Sequence, residues 1–377
     1  MLDRYTQDLA GLEARGRLRM LAPRVGMDFA SNDYLALAES PEFAAAARAA
    51  LARGVPVGAG GSRLLRGNHP EHEALEEEAA RFFGAESALY FSAGFTANEA
   101  LLSTAPQRED LILYDELAHA SAHEGMRLAR APNAPFAHND VGAAEDAIRA
   151  WREKGGRGRL WIVVESLYSM DGDKAPLDEL YALAEKSEAF LLIDEAHATG
   201  VYGPGGRGLA ARVEGKENVI TLHTCGKAMG VAGGLLCLPR MLRDFMINRC
   251  RPFIFATAPS PLVAACVRAA LKIVEAADDR RAELMSRIGF AGAELRRLCG
   301  IDSSGSQIQP IIVGADVRAT TLASRLQAHG YDIRAIRPPT VPEGSARLRI
   351  ALTLNTRREE VARMIAHLGE GLAGLEP

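Results

Sequence analysis

Apolar runs of strand length, separated by helices of crossover length, constrain this chain more than any other feature. "RLWIVVES" (159–166) and "AFLLIDEAH" (189–197) are apolar on nearly every residue up to their polar ends. A strand carries that pattern when both of its faces are covered. Between them "PLDELYALAEKSE" reads as a helix with a proline near its start, where a missing N–H costs nothing. The same alternation runs through "SALYFSAGF" (87–95), read as a strand ending in glycine, and the helical "TANEALLSTA" after it. It continues in the strand "DLILYDE" (110–116), the helical "HASAHEGMRLAR" and the amphipathic helix "GAAEDAIRAWREK". "NVITLHT" and "GGLLCLP" add two strands. Repeated βα units join parallel strands, so the expected fold class is α/β, a mostly parallel sheet flanked by helices.

The rhythm breaks with a long helical stretch from about Ser260 to Leu298. "IQPIIVG", a helix over 318–329, "DIRAIRPP", "ARLRIALT" and a last helix from Thr356 then predict a small α+β domain. At 377 residues the chain exceeds one simple core. The expected division is an N-terminal segment over 1–40, packing on the small domain or on a partner chain, a large domain over 41–260, and a C-terminal part over 261–377. The opening "MLDRYTQDLAGLEARGRLRML" patterns as a charged amphipathic helix without a signal-peptide apolar segment, so a cytoplasmic protein is expected. No apolar run has membrane-spanning length, and a net charge of −4 without a long single-sign block argues against nucleic acid or an anionic membrane as partner. Five cysteines (Cys225, Cys237, Cys250, Cys266, Cys299) at wide spacings, with no Cys-x-x-Cys, predict reduced buried thiols and no metal site.

Three motifs are declined. "GPGGRG" (203–208) matches the dinucleotide fingerprint, but the preceding strand ends near Asp194 and no helix opens on it. "DEAH" (194–197) would need a phosphate-binding loop, and neither Gly-Lys pair is followed by Ser or Thr. His69 and His72 have no third ligand nearby and read as surface histidines before a helix.

Chemistry is expected at strand C-terminal ends, where open α/β sheets bind ligands. His119 follows "DLILY", Glu165 and Ser169 follow "RLWIVV", Asp194 and His197 end "AFLLI", and Thr224 and Lys227 end "NVITL". One amine, carboxylates, an imidazole and hydroxyls converging on one rim suit pyridoxal phosphate. Lys227 would bond the cofactor aldehyde and act as acid and base. Asp194 would pair with the pyridine nitrogen and His197 with the phenolic oxygen, while His119 stacks on the ring. Gly94 and Phe95, at a helix start, and Thr224 would receive the phosphate. The glycines around Lys227 would let backbone approach the cofactor.

The chain resembles the α-oxoamine synthases, fold type I pyridoxal-phosphate enzymes of the aspartate-aminotransferase-like architecture. The motifs are "FASNDYLAL", "GAGGSRLLRGNHPEHEALE", "YFSAGFTANEA", "DELAHAS", "ESLYSMDGDKAPL", "IDEAHATGVYGPGGRG" and "HTCGKAMGVAGG", in that order along nearly the whole chain. "QIQPIIVG" and "AIRPPTVPEGSARLRIALT" are most similar to the branch that joins L-alanine to a pimeloyl thioester, on coenzyme A (pimeloyl-CoA) or on acyl carrier protein (pimeloyl-ACP), in biotin synthesis. The alternatives are a sister activity such as glycine C-acetyltransferase, or a non-catalytic paralogue. The resemblance implies catalytic roles for Lys227, His119 and Asp194. It implies cofactor contacts from Gly94, Phe95, His119, Glu165, Ser169, Asp194, His197, Thr224 and Lys227, with Thr257 reaching phosphate from the neighbouring subunit of a homodimer. Arg349 would hold the amino-acid carboxylate with Asn32 nearby; Arg19 and Thr340 would meet the acyl substrate. Cys225 and His223 depart from the family's usual small or apolar residues. Cys225 is read as a packed small hydrophobe.

Overall fold

The computed structural model describes residues 1–375. Two compact units make up the chain. One comprises Met1–Tyr34, Met170–Asp173 and the chain from Ala282; the other comprises Leu35–Ser169 and Lys174–Arg281.

The second, larger unit is built on seven strands: β1 Ser87–Phe91, β2 Leu111–Asp115, β3 Asn133–Phe136, β4 Leu160–Glu165, β5 Ala189–Asp194, β6 Val219–Thr224 and β7 Gly234–Leu238. Their order is β1-β7-β6-β5-β4-β2-β3. All neighbours are parallel except β7, which runs antiparallel to both β6 and β1. The mostly parallel α/β sheet predicted by the apolar runs is therefore present. Both faces are buried, with Leu192, Ile220, Leu222 and Leu236 packing in one cluster and Ile162, Leu191, Ile193 and Val219 in another.

Several boundaries differ from the expected ones. Strand β1 stops at Phe91, because the chain must turn before the helix Gly94–Thr104 opens. Strand β3, "NAPF", was not predicted; it is a short edge strand with a proline inside it, which only an edge tolerates. The stretch from Ser260 to Leu298 is two helices, Pro261–Glu275 and Asp278–Cys299. The first belongs to the larger unit and buries Ala264, Val267, Leu271 and Val274. His72 is no surface residue: it is fully buried and its Nε2 donates to the Pro259 carbonyl at 2.7 Å.

The smaller unit has an antiparallel sheet of β8 Ile308–Gly314, β9 Ala335–Ile336 and β10 Ala346–Ala351, in the order β9-β10-β8. Met27–Asp28 pairs in parallel with Tyr331–Asp332, and Arg17 forks between Asp316 and Glu343, which ties the N-terminal segment into this unit. The N-terminal helix spans Asp3–Ala14 and buries none of its residues. Gly16, at φ 66°, follows its end.

Among the described residues no helix is long and apolar enough to cross a membrane. All five cysteines are free thiols; Cys225, Cys237 and Cys250 are buried and the other two half-buried.

Candidate active site

Strand register assembles the site. Glu165 ends β4 opposite Asp194 on β5, and Asp194 is opposite Leu222 on β6. Residues in register on parallel strands point to the same face, and so does Thr224, two positions beyond Leu222. Lys227 follows in the turn between β6 and β7. With His119, Gly94 and Phe95 these residues line one cavity of about 240 Å³. A roomier hollow of about 540 Å³ lies among Arg130, Arg249, Arg251, Phe245 and Phe255. It offers cations, apolar surface and the Ser103 and Thr104 hydroxyls but no carboxylate, imidazole or amine to act as a base, so the smaller cavity is the candidate active site.

The Lys227 amine lies 2.7 Å from His197 Nε2. Asp194 is 7 % exposed; Oδ1 accepts the Ala196 N–H at 2.9 Å and Oδ2 accepts from Asn98 Nδ2 at 2.7 Å. Asn98 also donates to Ser121 Oγ at 3.0 Å. Asn98 was not among the residues the sequence singled out. Its signal was a polar residue one turn inside the apolar face of "TANEALL". His119 caps the helix Ala120–Leu128, its Nδ1 accepting the Ser121 N–H at 3.2 Å. That leaves Nε2 as the protonated nitrogen. Burial lowers the pKa of His119, the Lys227 charge adds to the fall, and Asp194 opposes it.

Glu165 is buried; Oε2 accepts the Ser169 N–H at 3.1 Å, and Oε1 has no hydrogen-bond partner. Burial, with Asp194 adding to it, pushes this carboxyl well above the usual range. An orphaned buried oxygen on a cavity wall is a position a polar ligand can satisfy. The helix Gly94–Thr104 opens at Ala93, which provides no side-chain cap, so its first N–H groups are available to an anion. Amine, carboxylates, imidazole and helix start together fit pyridoxal phosphate.

Gly230 and Gly234, near Lys227, are required by contacts within the protein itself. A Cβ at Gly234 would stand 2.7 Å from the Gly94 nitrogen, and one at Gly230 (φ 68°) 2.7 Å from the Ala38 nitrogen. They let protein backbones approach one another. Gly94 itself bounds the cavity: a methyl there would lie 3.1 Å from Thr224 Oγ1. Gly94→Ala is expected to weaken pyridoxal phosphate binding by about tenfold, about 1.4 kcal/mol, as read by titration of the visible absorption band.

Thr257 is exposed, bridges to Ser62 and does not line this cavity. Four predicted residues lie in the smaller unit. Arg349 is buried on β10 and donates to Tyr34 Oη at 3.4 Å; Tyr34 Oη in turn donates to Asn32 Oδ1 at 3.0 Å. Tyr34, which joins these two, was missed although it stands within "FASNDYLAL". Arg19 Nη2 donates to Thr340 Oγ1 at 3.3 Å, both exposed.

Glu195, beside Asp194, is fully buried and accepts the Leu209 and Ala210 N–H groups at 2.8 Å. Burial overrides these bonds and raises its carboxyl to about 8. The folded chain keeps a proton that the unfolded chain releases near its ordinary value of 4.5. The unfolded state then binds fewer protons, so this group's contribution to stability is full below 4.5 and falls as pH rises to about 8. Glu195→Gln is expected to flatten that slope, measured by urea unfolding across the window.

Residues 24–368 match the family model for aminotransferase class I and II. An 8-amino-7-oxononanoate synthase of Methylobacterium nodulans is 39% identical, over 99% of this chain and 98% of that protein. Among solved structures, Sphingomonas wittichii serine palmitoyltransferase superposes with a TM-score of 0.89 at 28% identity, over 98% of both chains. The 8-amino-7-oxononanoate synthase of Francisella tularensis superposes at 0.78 with 26% identity, over 92% of this chain and 98% of that one. This chain belongs to the aminotransferase class I and II family, in the α-oxoamine synthase branch whose 8-amino-7-oxononanoate synthases it resembles along nearly its whole length.

Proposed function

We propose that this chain condenses L-alanine with a pimeloyl thioester, giving 8-amino-7-oxononanoate, carbon dioxide and free thiol in biotin synthesis. The observation that carries this is the Lys227 amine, 2.7 Å from His197, on a cavity shared with Asp194, His119 and Glu165. Relatives of that name, similar along nearly their full length, support the choice of substrates.

Bound pyridoxal phosphate supplies an electron sink for a carbanion at the amino acid's Cα. The residues of the chain do the rest. Lys227 Nζ takes the Cα proton and later returns one to the product. Asp194, oriented by Asn98 and the Ala196 N–H, holds a proton at the pyridine nitrogen. Gly94, Phe95 and Thr224 receive the phosphate. Ser169 and His197 support the site behind Glu165 and Lys227. His119, with Nδ1 accepting from Ser121, presents Nε2–H to the developing ketone oxygen. As the bond from Cα to the acyl carbon forms, the carbon–sulfur bond breaks and the thiol departs. The bond from Cα to the carboxylate then breaks and releases carbon dioxide.

Arg349 is the cation assigned to the amino-acid carboxylate, with Asn32 beside it; its planar fork suits two parallel hydrogen bonds. Arg349→Lys is expected to lower kcat/KM for L-alanine by about 10–100-fold while leaving KM for the thioester unchanged. Arg19 and Thr340 are assigned to the acyl chain's distal carboxylate. We also take the protein to be a cytoplasmic homodimer. The exposed Thr257 is then available to the partner's cofactor phosphate.

The test is product analysis by mass spectrometry with purified protein and pyridoxal phosphate. L-alanine should give 8-amino-7-oxononanoate with pimeloyl-CoA or pimeloyl-ACP. Turnover with glycine and acetyl-CoA alone, or with serine and a long-chain thioester alone, would assign the chain to a sister activity. No turnover with any pair would leave a non-catalytic paralogue.

A further inference from the structure

The central sheet carries a second polar cluster on its other face. Side chains alternate along a strand, so Leu222 and Thr224 of β6 face the cavity side while Thr221 and His223 face away. Cys237 on β7 pairs with Thr221 and shares that face. Glu214, in the segment before β6, completes the group. Its Oε1 accepts from Thr221 Oγ1 at 2.8 Å, and its Oε2 lies 3.6 Å from His223 Nε2. Phe83 covers the imidazole, stacked at 3.5 Å between ring centroids. The Glu214 and His223 side chains are 3% and 0% exposed, and Cys237 is 1% exposed.

Nothing in the proposed reaction uses these groups. One observation points to a ligand: Glu214 Oε2 is buried and has no hydrogen-bond partner. A carboxylate oxygen in that position costs free energy unless something satisfies it. One ligand atom from each of Glu214, His223 and Cys237 lies within 4.8 Å of the others. We propose that these three residues bind one divalent transition-metal ion of the zinc class.

The donor set is one oxygen, one nitrogen and one sulfur, which excludes calcium and magnesium in favour of a softer ion. Zinc bonds of about 2.0–2.3 Å draw the three donors inward by small side-chain rotations. Thr199 Oγ1 lies 2.8 Å from His223 Nδ1 and holds the ring on that side, while Nε2, 3.0 Å from Thr221 Oγ1, exchanges that contact for the ion. Burial and the Glu214 charge push the Cys237 thiol up. A dication reverses that balance. The thiol then loses its proton to water as the sulfur–metal bond forms, with no change of oxidation state. Because the ion sits across the sheet from the cavity, it ties β6 and β7 to the preceding segment. It thereby positions the strand that leads to Thr224 and Lys227, and it takes no part in the chemistry. The wide sequence separation of the three ligands hid the site from the spacing rules that predicted no metal.

The test uses the holoenzyme expressed in zinc-supplemented medium, with any affinity tag removed. Zinc loads during folding, so burial of the site does not block entry. Metal per chain is measured by mass spectrometry and the zinc shell by X-ray absorption. The expected result is about one zinc per chain, with one sulfur at about 2.3 Å and the remaining ligands nitrogen or oxygen. Cys237→Ala should lose at least about tenfold in zinc content, and Cys225→Ala, a neighbouring buried thiol, should keep it. If Cys237→Ala does not fold, His223→Gln serves in its place, and the wild-type stoichiometry decides alone. Folded wild type with less than about a tenth of a zinc per chain, a zinc shell without sulfur, or full zinc in Cys237→Ala would overturn the assignment. None of these readouts depends on turnover, so they stand apart from the proposed reaction.

Discussion

Lys227→Ala abolishes the shift in the cofactor's absorption band that the wild-type protein produces on mixing with pyridoxal phosphate, and lowers condensation by more than about 10⁴-fold, beyond what a positioned acid–base group alone supplies. The amine is asked to do two things: bond the cofactor, and move a proton at the substrate Cα. No other side chain lining the cavity is an amine. The substitution should spare the fold. Lys227 is half-buried in a turn, outside the strands, and its loss opens no apolar core. Thermal unfolding should therefore shift by no more than about 1 kcal/mol equivalent. Cofactor titration by absorbance and single-turnover product formation read the two roles separately. A loss smaller than about 100-fold would transfer the proton step to another base, with His119 and His197 the neighbours to test, and would remove Lys227 from the chemistry.

What the sequence revealed follows from how buried parallel strands are written. Covered strands must be apolar, so the polar residues at their ends stand out: Glu165, Asp194 and Thr224 mark where β4, β5 and β6 stop. Register then places those ends side by side without further information from the sequence. Features that depend on tertiary contact were not legible. Asn98 sits inside a helix, and its partner Asp194 lies 96 residues away. Strand β3 contains a proline and little apolar surface. Arg349 carries the alternation of a half-exposed strand, yet every residue of β10 is buried. Arg347, on the same face, is neutralised by Asp171 at 2.5 Å, and Arg349 has Tyr34. Gly230 and Gly234 were visible, but the neighbours they make room for, Ala38 and Gly94, are distant in sequence.

Asp194→Asn separates the chemical role of the carboxylate from its structural one. The buried oxygen Oδ1 of Asp194 receives a backbone N–H from Ala196, and asparagine's carbonyl can do the same. The other oxygen receives Asn98 Nδ2, and asparagine would place an NH₂ there instead. Asn98 can answer by rotating its amide, because its own Oδ1 has no partner and becomes an acceptor for the new donor. The Ser121 hydroxyl, now facing Oδ1 or its neighbour, can turn to donate. The one contact given up is that between the Ser121 hydroxyl and His119 Nδ1, at 2.8 Å, so the variant should unfold within about 1–2 kcal/mol of wild type. A neutral amide, however, cannot hold a proton at the pyridine nitrogen, so the electron sink weakens. Condensation is expected to fall by about 10³–10⁴-fold, the range seen when a buried charge partner of the reacting system is neutralised. Cofactor binding should fall far less, because Lys227 and the helix start at Gly94 remain. Steady-state rates and absorbance titration on one preparation test both halves. A fall in cofactor affinity equal to the fall in rate would make Asp194 a binding residue only, and the proton at the ring nitrogen would need another holder. Glu165, whose buried carboxyl is pushed well above the usual range, is the neighbouring acid that Glu165→Gln would then examine.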